Sequence, residues 1–163
     1  MKIKNRYRLK TRDIKQFRDE LKKSFSFDFF DEKSSVETGE YNGKKIVLID
    51  GEPCFIFYED KIIFTLHGLN KFKPKQNFVI IDMGAIKFVT NGADIMAPGI
   101  VDADINIKEN DQVWVCDEVH RKPIAIGIAK MTGEQMMVEK KGKAIKTIHY
   151  VGDDLWKTIS SKI

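Results

Sequence analysis

Histidine and cysteine are the side chains of this chain that could carry catalysis or bind a metal ion. The three histidines are His67, His120 and His149, and none has a second histidine at metal-ligand spacing. The two cysteines, Cys54 and Cys116, each lie between apolar neighbours. A cysteine nucleophile needs a partly exposed, electropositive site, and His67 could reach Cys54 only through folding. We therefore predict two buried thiols and no metal site.

Paired carboxylates are a second candidate for catalysis. Asp102 with Asp104, and Asp153 with Asp154, could act as an acid and a base only in a pocket that separates their pKa values. Both pairs lie in polar, turn-rich sequence, which favours solvated turns. The chain also lacks a phosphate-binding glycine loop and a Gly-x-Ser-x-Gly motif. We predict that the protein is not an enzyme and uses no cofactor.

Charge is distributed unevenly along the 163 residues, whose net charge is +4. Residues 1–23 hold ten Lys or Arg against three acids, whereas the remainder has a net charge of −3. Such asymmetry indicates contact with a polyanion, although a solvated basic strand and helix would give the same count. No apolar run approaches the roughly 18 residues of a membrane helix, and the N-terminus lacks a signal-peptide core. We predict a cytoplasmic protein without membrane contact.

The N-terminal part has the pattern of a helix on an antiparallel sheet. From Lys2 to Lys10, cations alternate with mostly apolar residues, which predicts a strand with apolar side chains on one face and cations on the other. Thr11 is predicted to cap a helix that ends near Lys23. A loop is then predicted over 31–40, strands over 45–50, 54–58 and 61–66, and a connector over 69–75.

The C-terminal part has the pattern of many short strands. Strands are predicted over 78–82, 112–116, 123–131 and 146–151, an extended run over 93–97, and short helices over 84–91 and 134–139. Gly92 is predicted to stop the first helix, and Gly127 to mark a bulge or a close backbone approach. This pattern predicts a small sandwich or a partly closed barrel. We expect an α+β protein with a boundary near Pro74 that divides domain 1–75 from domain 76–163.

The segment Gly84–Ile100 has the sequence GAIKFVTNGADIMAPGI. It combines a short helix, a glycine stop, an extended apolar run and Pro-Gly, with little side-chain bulk. Such a surface lets a phosphate or a sugar approach exposed backbone N–H groups closely. By themselves, however, these residues favour an ordinary helix-to-strand turn, in which Gly, Ala and Pro serve only the fold.

The segment closely resembles the signature of the PUA domain, the RNA-binding module named for pseudouridine synthases and archaeosine transglycosylases. The resemblance continues through 111–115, 124–131, 142–144 and 148–150 and ends at Trp156. The run DMGAIKFV from Asp82, with the later His-Tyr and Leu-Trp pairs, is similar to the malignant T-cell amplified protein family and its archaeal relatives. That resemblance implies a basic N-terminal α+β domain followed by a C-terminal PUA pseudo-barrel of short mixed strands.

PUA domains bind structured RNA, often a tRNA acceptor stem or its single-stranded 3′ end, with the short helix, the glycine loop and the last strand. The resemblance places these regions at Gly84–Ile100 and Lys143–Val151. It implies RNA contacts by Lys87, Gly92, Ala93, Met96, Ala97, Pro98, Gly99, Lys143 and His149. The lysines would pair with phosphates and the glycines would permit close approach, while Met96 and Ala97 would pack on a sugar or an unstacked base.

The net charge of residues 77–163 is −1, so a phosphate site in this part must be a local patch. Supporting phosphate contacts are expected from Lys140, Lys141 and Lys146, or from the N-terminal cations Lys4, Arg6 and Arg8.

The resemblance implies an RNA-binding translation factor that contacts the tRNA acceptor end, small-subunit rRNA or both, in initiation or recycling. Its candidate partners are the small ribosomal subunit and a protein like density-regulated protein. A non-catalytic RNA-binding subunit of a tRNA or rRNA modification enzyme is the alternative. A third hypothesis is a protein-interaction module in which Phe25, Phe27, Phe29 and Phe30 form a partner groove. The interpretation that we favour for these four side chains is that they belong to the core of the N-terminal domain.

Overall fold

Two compact units make up the protein in a computed structural model that describes residues 2–161. Residues up to Pro74, together with those from Thr158, form the N-terminal unit, and Lys75–Lys157 form the C-terminal unit. Each unit combines a sheet with helices, which confirms the predicted α+β class. No helix in the described part of the chain is both long and apolar enough to cross a membrane.

The N-terminal unit is built on a five-stranded antiparallel sheet. Its elements are β1 (Lys4–Arg8), α1 (Thr11–Phe25), β2 (Val36–Tyr41), β3 (Lys44–Ile49), β4 (Glu52–Tyr58), β5 (Lys61–Phe64) and α2 (Leu66–Phe72). Helix α1 packs on the sheet through aromatic side chains. The ring of Phe17 meets that of Phe55 edge-on, with centroids 5.1 Å apart, and Phe25 meets Phe64 in the same way at 5.2 Å.

The basic N-terminal strand is present as β1, but the predicted division into an apolar and a cationic face is wrong. All five of its residues are exposed, and Asn5 has a φ of 53° at a break in the pairing with β2. The predicted cap is also wrong, because α1 already includes Thr11. Lys10 holds the N-cap position, and its side chain makes no capping hydrogen bond. The helix ends at Phe25, two residues beyond the predicted Lys23.

The loop predicted over 31–40 is wrong in its second half, because β2 pairs with both β1 and β3. Acidic residues and Gly39 hide the alternation expected of a strand. Asn42 and Gly43, with φ angles of 47° and 75°, turn the chain into the β2–β3 hairpin. The predicted connector is partly helical, since α2 starts after Thr65, whose side chain accepts a hydrogen bond from the Gly68 amide at 3.0 Å.

The phenylalanine cluster after α1 belongs mainly to the core of the N-terminal unit. Phe25 and Phe30 are buried, and Phe29 is partly buried against the ring of Phe64. Phe27 differs from them, with 61% of its surface exposed. The core interpretation therefore holds for three of the four side chains.

The C-terminal unit is built on a curled, mixed sheet of six strands. Its elements are β6 (Phe78–Ile81), α3 (Ile86–Val89), β7 (Ile95–Met96), β8 (Ile100–Ala103), β9 (Gln112–Asp117), β10 (Pro123–Ala129), α4 (Gly133–Val138) and β11 (Lys143–Tyr150). The strand order is β7-β11-β10-β9-β6-β8, in which β6 and β9 are parallel and the other pairs antiparallel. A final helix, α5 (Asp154–Ser160), follows. Neither β8 nor α5 is among the elements predicted from the sequence.

Two glycine predictions are confirmed in this unit. Gly127 lies at a break in the β10–β11 register, and a Cβ there would stand 2.3 Å from the Lys146 carbonyl oxygen. Gly92 ends the turn after α3 with a φ of 88°. The predicted short helix near 134–139 is α4, and its Thr132 and Gln135 form a reciprocal capping box. These features fix the backbone around a core that includes Val79, Ile81, Val89, Ile95, Val113, Val115, Met136 and Ile145.

Candidate nucleic-acid interface

The segment Gly84–Ile100 leaves the sheet after β6 and returns to it as β8. Asp82 ties its two ends together. The Asp82 Oδ1 atom accepts a hydrogen bond from the Ala85 amide at 2.9 Å, and the Asp82 amide donates to the Gly99 carbonyl at 3.0 Å. Between these ends lie α3, the Gly92 turn and β7, which pairs with β11. The segment is therefore a closed loop held to the sheet at both sides.

Gly92 packs against the ring of Tyr150, which lies at the end of β11. A Cβ on residue 92 would stand 2.8 Å from the Tyr150 hydroxyl oxygen. The φ of 88° at this position is also one that glycine adopts without steric cost. Both the turn and the contact therefore require glycine here.

A pocket of about 510 Å³ opens within this loop. It is lined by Asp82, Gly84, Ala85, Phe88, Val89, Ala93, Asp94, Ile95, Met96, Pro98 and Gly99. Phe88 and Met96 are 58% and 48% exposed, so two large apolar side chains of the lining are open to a ligand. Phe88 does not face the core, because the four-residue helix buries only Val89. An apolar pocket with an exposed aromatic ring suits an unstacked base.

Two predicted cations lie beside this pocket. The Lys87 Nζ atom stands 5.2 Å from the centroid of the neighbouring Phe88 ring. Lys143 is paired with Met96 in the β7–β11 register, and its Nζ atom lies 2.8 Å from Asp94 Oδ2. The pocket thus has a lysine on α3 and another on β11, at positions where a phosphate could bind outside it.

Asp94 binds two residues of β11, Lys143 and Thr147, and so fixes this strand to the pocket segment. Its Oδ1 atom accepts the Thr147 amide at 2.9 Å, while Oδ2 pairs with Lys143. Burial raises the pKa of the Asp94 carboxyl, but the hydrogen bonds from Lys143 and Thr147 outweigh it, so the pKa lies below its usual value. Lys143 is therefore held by an ionised partner and is 50% exposed.

His149 lies inside the unit rather than on its surface, with 1% of its area exposed. Its Nδ1 atom lies 2.7 Å from Asp153 Oδ2, and its Nε2 atom is buried without a hydrogen-bond partner in the described residues. Asp153 also accepts the amides of Tyr150 and Trp156, at 3.1 and 2.7 Å. This network fixes the end of β11, and with it the Tyr150 ring that supports Gly92.

The remaining residues of the C-terminal unit that were predicted to contact RNA differ in their exposure. Ala93 and Pro98 are exposed, whereas Ala97 is 2% exposed and offers mainly its backbone. Lys140, Lys141 and Lys146 are exposed on the loop before β11 and on that strand. The loop is tied to the pocket segment, because the Ala97 amide donates to the Gly142 carbonyl at 2.9 Å.

Comparison with protein families assigns both parts of the chain. The PUA domain family matches residues 77–151, and a domain of unknown function, DUF1947, matches residues 5–72. An uncharacterised protein of Methanocaldococcus jannaschii is 49% identical over 158 residues, which cover 96% of this chain and 98% of that protein.

Two named relatives come from eukaryotes. Translation machinery-associated protein 20 of Saccharomyces cerevisiae is 34% identical, over 76% of this chain and 72% of the relative. Malignant T-cell-amplified sequence 2 of Homo sapiens is 35% identical, over 69% and 64%. The chain belongs to the malignant T-cell amplified protein family. The predicted resemblance is thereby confirmed, and the PUA domain of this family member supports a role in RNA binding.

Solved structures agree with the family assignment. A hypothetical protein of Pyrococcus horikoshii superposes on this family member with a TM-score of 0.86 at 35% identity, covering 94% of this chain and 99% of that one. A conserved PUA domain protein of Thermoplasma acidophilum gives a TM-score of 0.78 at 28% identity, covering 95% and 99%. The C-terminal unit accordingly has the PUA fold, with the N-terminal α+β unit before it.

The N-terminal cations of this family member lie on an edge strand. Lys4, Arg6 and Arg8 belong to β1 and are all exposed. Arg6 makes two hydrogen bonds to the Glu37 carboxylate, at 2.8 and 3.0 Å, which raise the pKa of Arg6 and lower that of Glu37. The charge of Arg6 is thus partly compensated by a neighbour, and a phosphate would have to compete with Glu37.

The cysteines lie in surroundings that favour the thiol over the thiolate. Burial raises the pKa of Cys54 to about 12 and that of Cys116 to about 11. His67, the partner considered for Cys54, instead makes a hydrogen bond to Glu52 at 3.2 Å. Within residues 2–161 no group of three His, Cys, Asp or Glu side chains could hold a metal ion.

Three residues that shape the interface, Asp82, Phe88 and Asp94, are absent from the sites predicted from the sequence. Asp82 stands two residues before Gly84, where an aspartate cap in front of a short helical turn is a usual signal. An exposed aromatic ring at Phe88, by contrast, follows only from the shortness of α3. The partnership of Asp94 with Lys143 depends on the β7–β11 register, and local sequence carries no signal for it.

Proposed function

We propose that this protein is an RNA-binding translation factor whose PUA domain holds the single-stranded 3′ end of a tRNA acceptor. The observation that carries the proposal is the apolar pocket of about 510 Å³ in the Gly84–Ile100 loop, with exposed Phe88 and Met96 and with Lys87 and Lys143 beside its lining residues. Unstacked bases of single-stranded RNA bind to such aromatic and apolar surfaces. The names of the translation machinery-associated relatives support the translational role.

Each predicted residue has a definite part in the proposal. Lys87 and Lys143 bind phosphates beside the pocket, and Met96 packs on a base or a sugar. Gly92, Ala93, Ala97, Pro98 and Gly99 form a backbone surface of small residues. Since His149 is buried, it acts by positioning Tyr150 and Gly92 rather than by touching RNA.

Further phosphate contacts come from two groups of exposed cations. Lys140, Lys141 and Lys146 extend the site of the PUA domain along β11. Lys4, Arg6 and Arg8 on β1 bind duplex RNA, for which rRNA of the small ribosomal subunit is the proposed source. A partner resembling density-regulated protein and a role in initiation or recycling belong to the same proposal. So do a cytoplasmic location, the absence of catalysis and the domain boundary between residues 75 and 76.

Gel-shift titration of deacylated tRNA, intact or lacking its single-stranded 3′ end, tests the proposal. We expect the intact tRNA to bind at least about tenfold more tightly, because stacking contributes roughly 1–3 kcal/mol per base. Equal affinity for the two RNAs would overturn the acceptor-end proposal.

The residue assignment is tested with the double variant K87E/K143E. Loss of two phosphate contacts and the gain of two negative charges should weaken tRNA binding by at least about tenfold. K87Q/K143Q is a milder second variant that guards against misfolding caused by repulsion between residue 143 and Asp94. K108E changes charge at an exposed site outside the interface and should bind within about twofold of wild type. Unchanged affinity in both double variants contradicts the assignment.

Ribosome-gradient sedimentation tests the cellular role. Co-sedimentation with the small subunit is expected. Recovery with an RNA-modification enzyme, and not with ribosomal particles, would instead support the alternative of an accessory RNA-binding subunit.

A further inference from the structure

Asp82 and Asp94 provide the charge of the pocket in the PUA domain. The other lining residues are apolar or glycine, and among residues 2–161 no lysine, arginine or histidine contributes to the lining. The cations of the interface, Lys87 and Lys143, therefore lie beside the pocket and not in it. Phosphates are attracted to the surroundings of this pocket, whereas its interior repels them.

The two carboxylates differ in how their charge is compensated. Asp94 pairs with Lys143 at 2.8 Å and accepts the Thr147 amide at 2.9 Å, so both of its oxygens are engaged. Asp82 forms no ion pair within the described part of the chain, and its Oδ1 accepts the Ala85 amide at 2.9 Å. No hydrogen bond or ion pair of the described residues engages the Asp82 Oδ2 atom, so its lone pairs can accept from a ligand at this lining residue.

We propose that the pocket selects the 3′-terminal nucleoside of an RNA that ends in free hydroxyls, and that Asp82 excludes an RNA that ends in a 3′-phosphate. The inference rests on the proposed binding of a single-stranded RNA 3′ end and adds the chemical state of that end. The free 2′- and 3′-hydroxyls are donors, and Asp82 Oδ2 is an acceptor that can bind them.

The physical reason for the selectivity is the sign of the charge at the terminal group. A hydroxyl that donates to a carboxylate forms a charge-assisted hydrogen bond. A terminal phosphate instead brings up to two negative charges close to Asp82 in a largely apolar pocket, and like charges at short range repel each other. It also removes the 3′-hydroxyl donor and leaves only the 2′-hydroxyl to donate to Asp82.

The arrangement of the cations agrees with this orientation of the RNA. Internal phosphates precede the terminal nucleoside and would lie outside the pocket, where Lys87 and Lys143 are found. An end without a phosphate can therefore occupy the pocket while the preceding backbone is bound at its rim. The exposed Phe88 ring offers the terminal base a stacking surface.

Three synthetic acceptor-stem hairpins, each with a 5′ fluorophore, provide the test with the full-length protein. The first has a single-stranded 3′ tail ending in hydroxyls, the second has the same tail ending in a 3′-phosphate, and the third is blunt. We expect the phosphorylated tail to bind roughly tenfold more weakly than the hydroxyl tail in fluorescence anisotropy.

The outcomes separate the two proposals. Equal affinity for all three hairpins overturns acceptor-end binding and the present inference together. Tighter binding of both tailed hairpins than of the blunt one, without discrimination between them, overturns only the inference. These comparisons use wild-type protein, so they do not depend on the folding of a variant.

The role of Asp82 is tested with D82N, which removes the charge and keeps an oxygen that can cap the Ala85 amide. The phosphorylated tail should bind D82N within about threefold of the hydroxyl tail. D102N makes the same change on exposed strand β8, outside the pocket, and should keep the roughly tenfold preference. A preference that persists in D82N would falsify the assignment to this residue.

Discussion

At the scale of the residue, Gly92 allows the turn of the pocket loop through its left-handed φ and its close contact with Tyr150. The left-handed φ alone should make G92A less stable by about 1–2 kcal/mol. The total loss should be larger, because the new Cβ would stand 2.8 Å from the Tyr150 hydroxyl oxygen and the Tyr150 side chain must move. G142A is the matched control, since Gly142 has a φ of 103° and a Cβ at this position would have no neighbour closer than 3.6 Å. Urea denaturation compares the two, and equal losses would contradict a structural role of the Tyr150 contact.

Asp153 gives the residue-scale prediction for pH. Burial raises the pKa of this carboxyl. The hydrogen bonds from His149, Trp156 and Tyr150 lower the pKa by more than burial raises it, so the net pKa lies below the usual value. A depressed carboxyl pKa stabilises the fold above the unfolded value of about 3.9, and that contribution is lost as pH falls through the folded value.

D153N should therefore be less stable than wild type at about pH 7, with a smaller further loss on acidification from about pH 5. The free energy of unfolding, measured in urea at several pH values, checks this expectation. The same acid-induced loss in D153N and in wild type would show that the Asp153 carboxyl does not contribute to the pH dependence.

At the scale of the element, the structural features that could be predicted are those with a signal in the local sequence. Features that depend on partners distant in sequence were missed. Gly127 could be identified because a glycine inside an apolar strand usually marks a bulge or a close backbone approach. The β2 strand was missed, since its acidic residues pair with residues such as Arg6 that lie about 30 positions away in sequence, as the Glu37 pairing shows. The Asn42-Gly43 turn was the local signal for that hairpin. Likewise, the Gly84–Ile100 segment was identifiable, whereas the pocket that it encloses depends on pairing with β11.

The β10–β11 contact provides the prediction at this scale. In G127A the new Cβ would stand 2.3 Å from the Lys146 carbonyl and 2.6 Å from the Ile145 Cγ2 atom, so the strands must separate. We expect a loss of about 3 kcal/mol in urea denaturation. G99A is the control, because its Cβ would meet only the Ala85 Cβ at 3.4 Å, an ordinary contact. A loss in G127A no larger than that in G99A would mean that the bulge can relax.

At the scale of the whole molecule, the positive charge is concentrated in the N-terminal part of the sequence and not in the PUA domain. Residues 77–163 have a net charge of −1, whereas residues 1–23 have a net charge of +7. Selectivity for an RNA end can therefore reside in the PUA domain while much of the non-specific attraction comes from the N-terminal cations. Such attraction is salt-dependent, because each neutralised phosphate releases a counterion.

This division predicts different salt responses for two sets of variants. K4A/R8A should reduce the slope of log K against log salt by about 1.8 if both residues contact duplex phosphates, and should leave the preference for a 3′ tail intact. K87A/K143A should reduce the slope by about 1.4, the single-strand value for two contacts, and should also weaken the tail preference. Arg6 is left unchanged because Glu37 already pairs with it.

Anisotropy titrations of the hydroxyl-tailed and blunt hairpins at several salt concentrations measure both quantities. Loss of the tail preference in K4A/R8A would place end recognition outside the PUA domain and contradict this division.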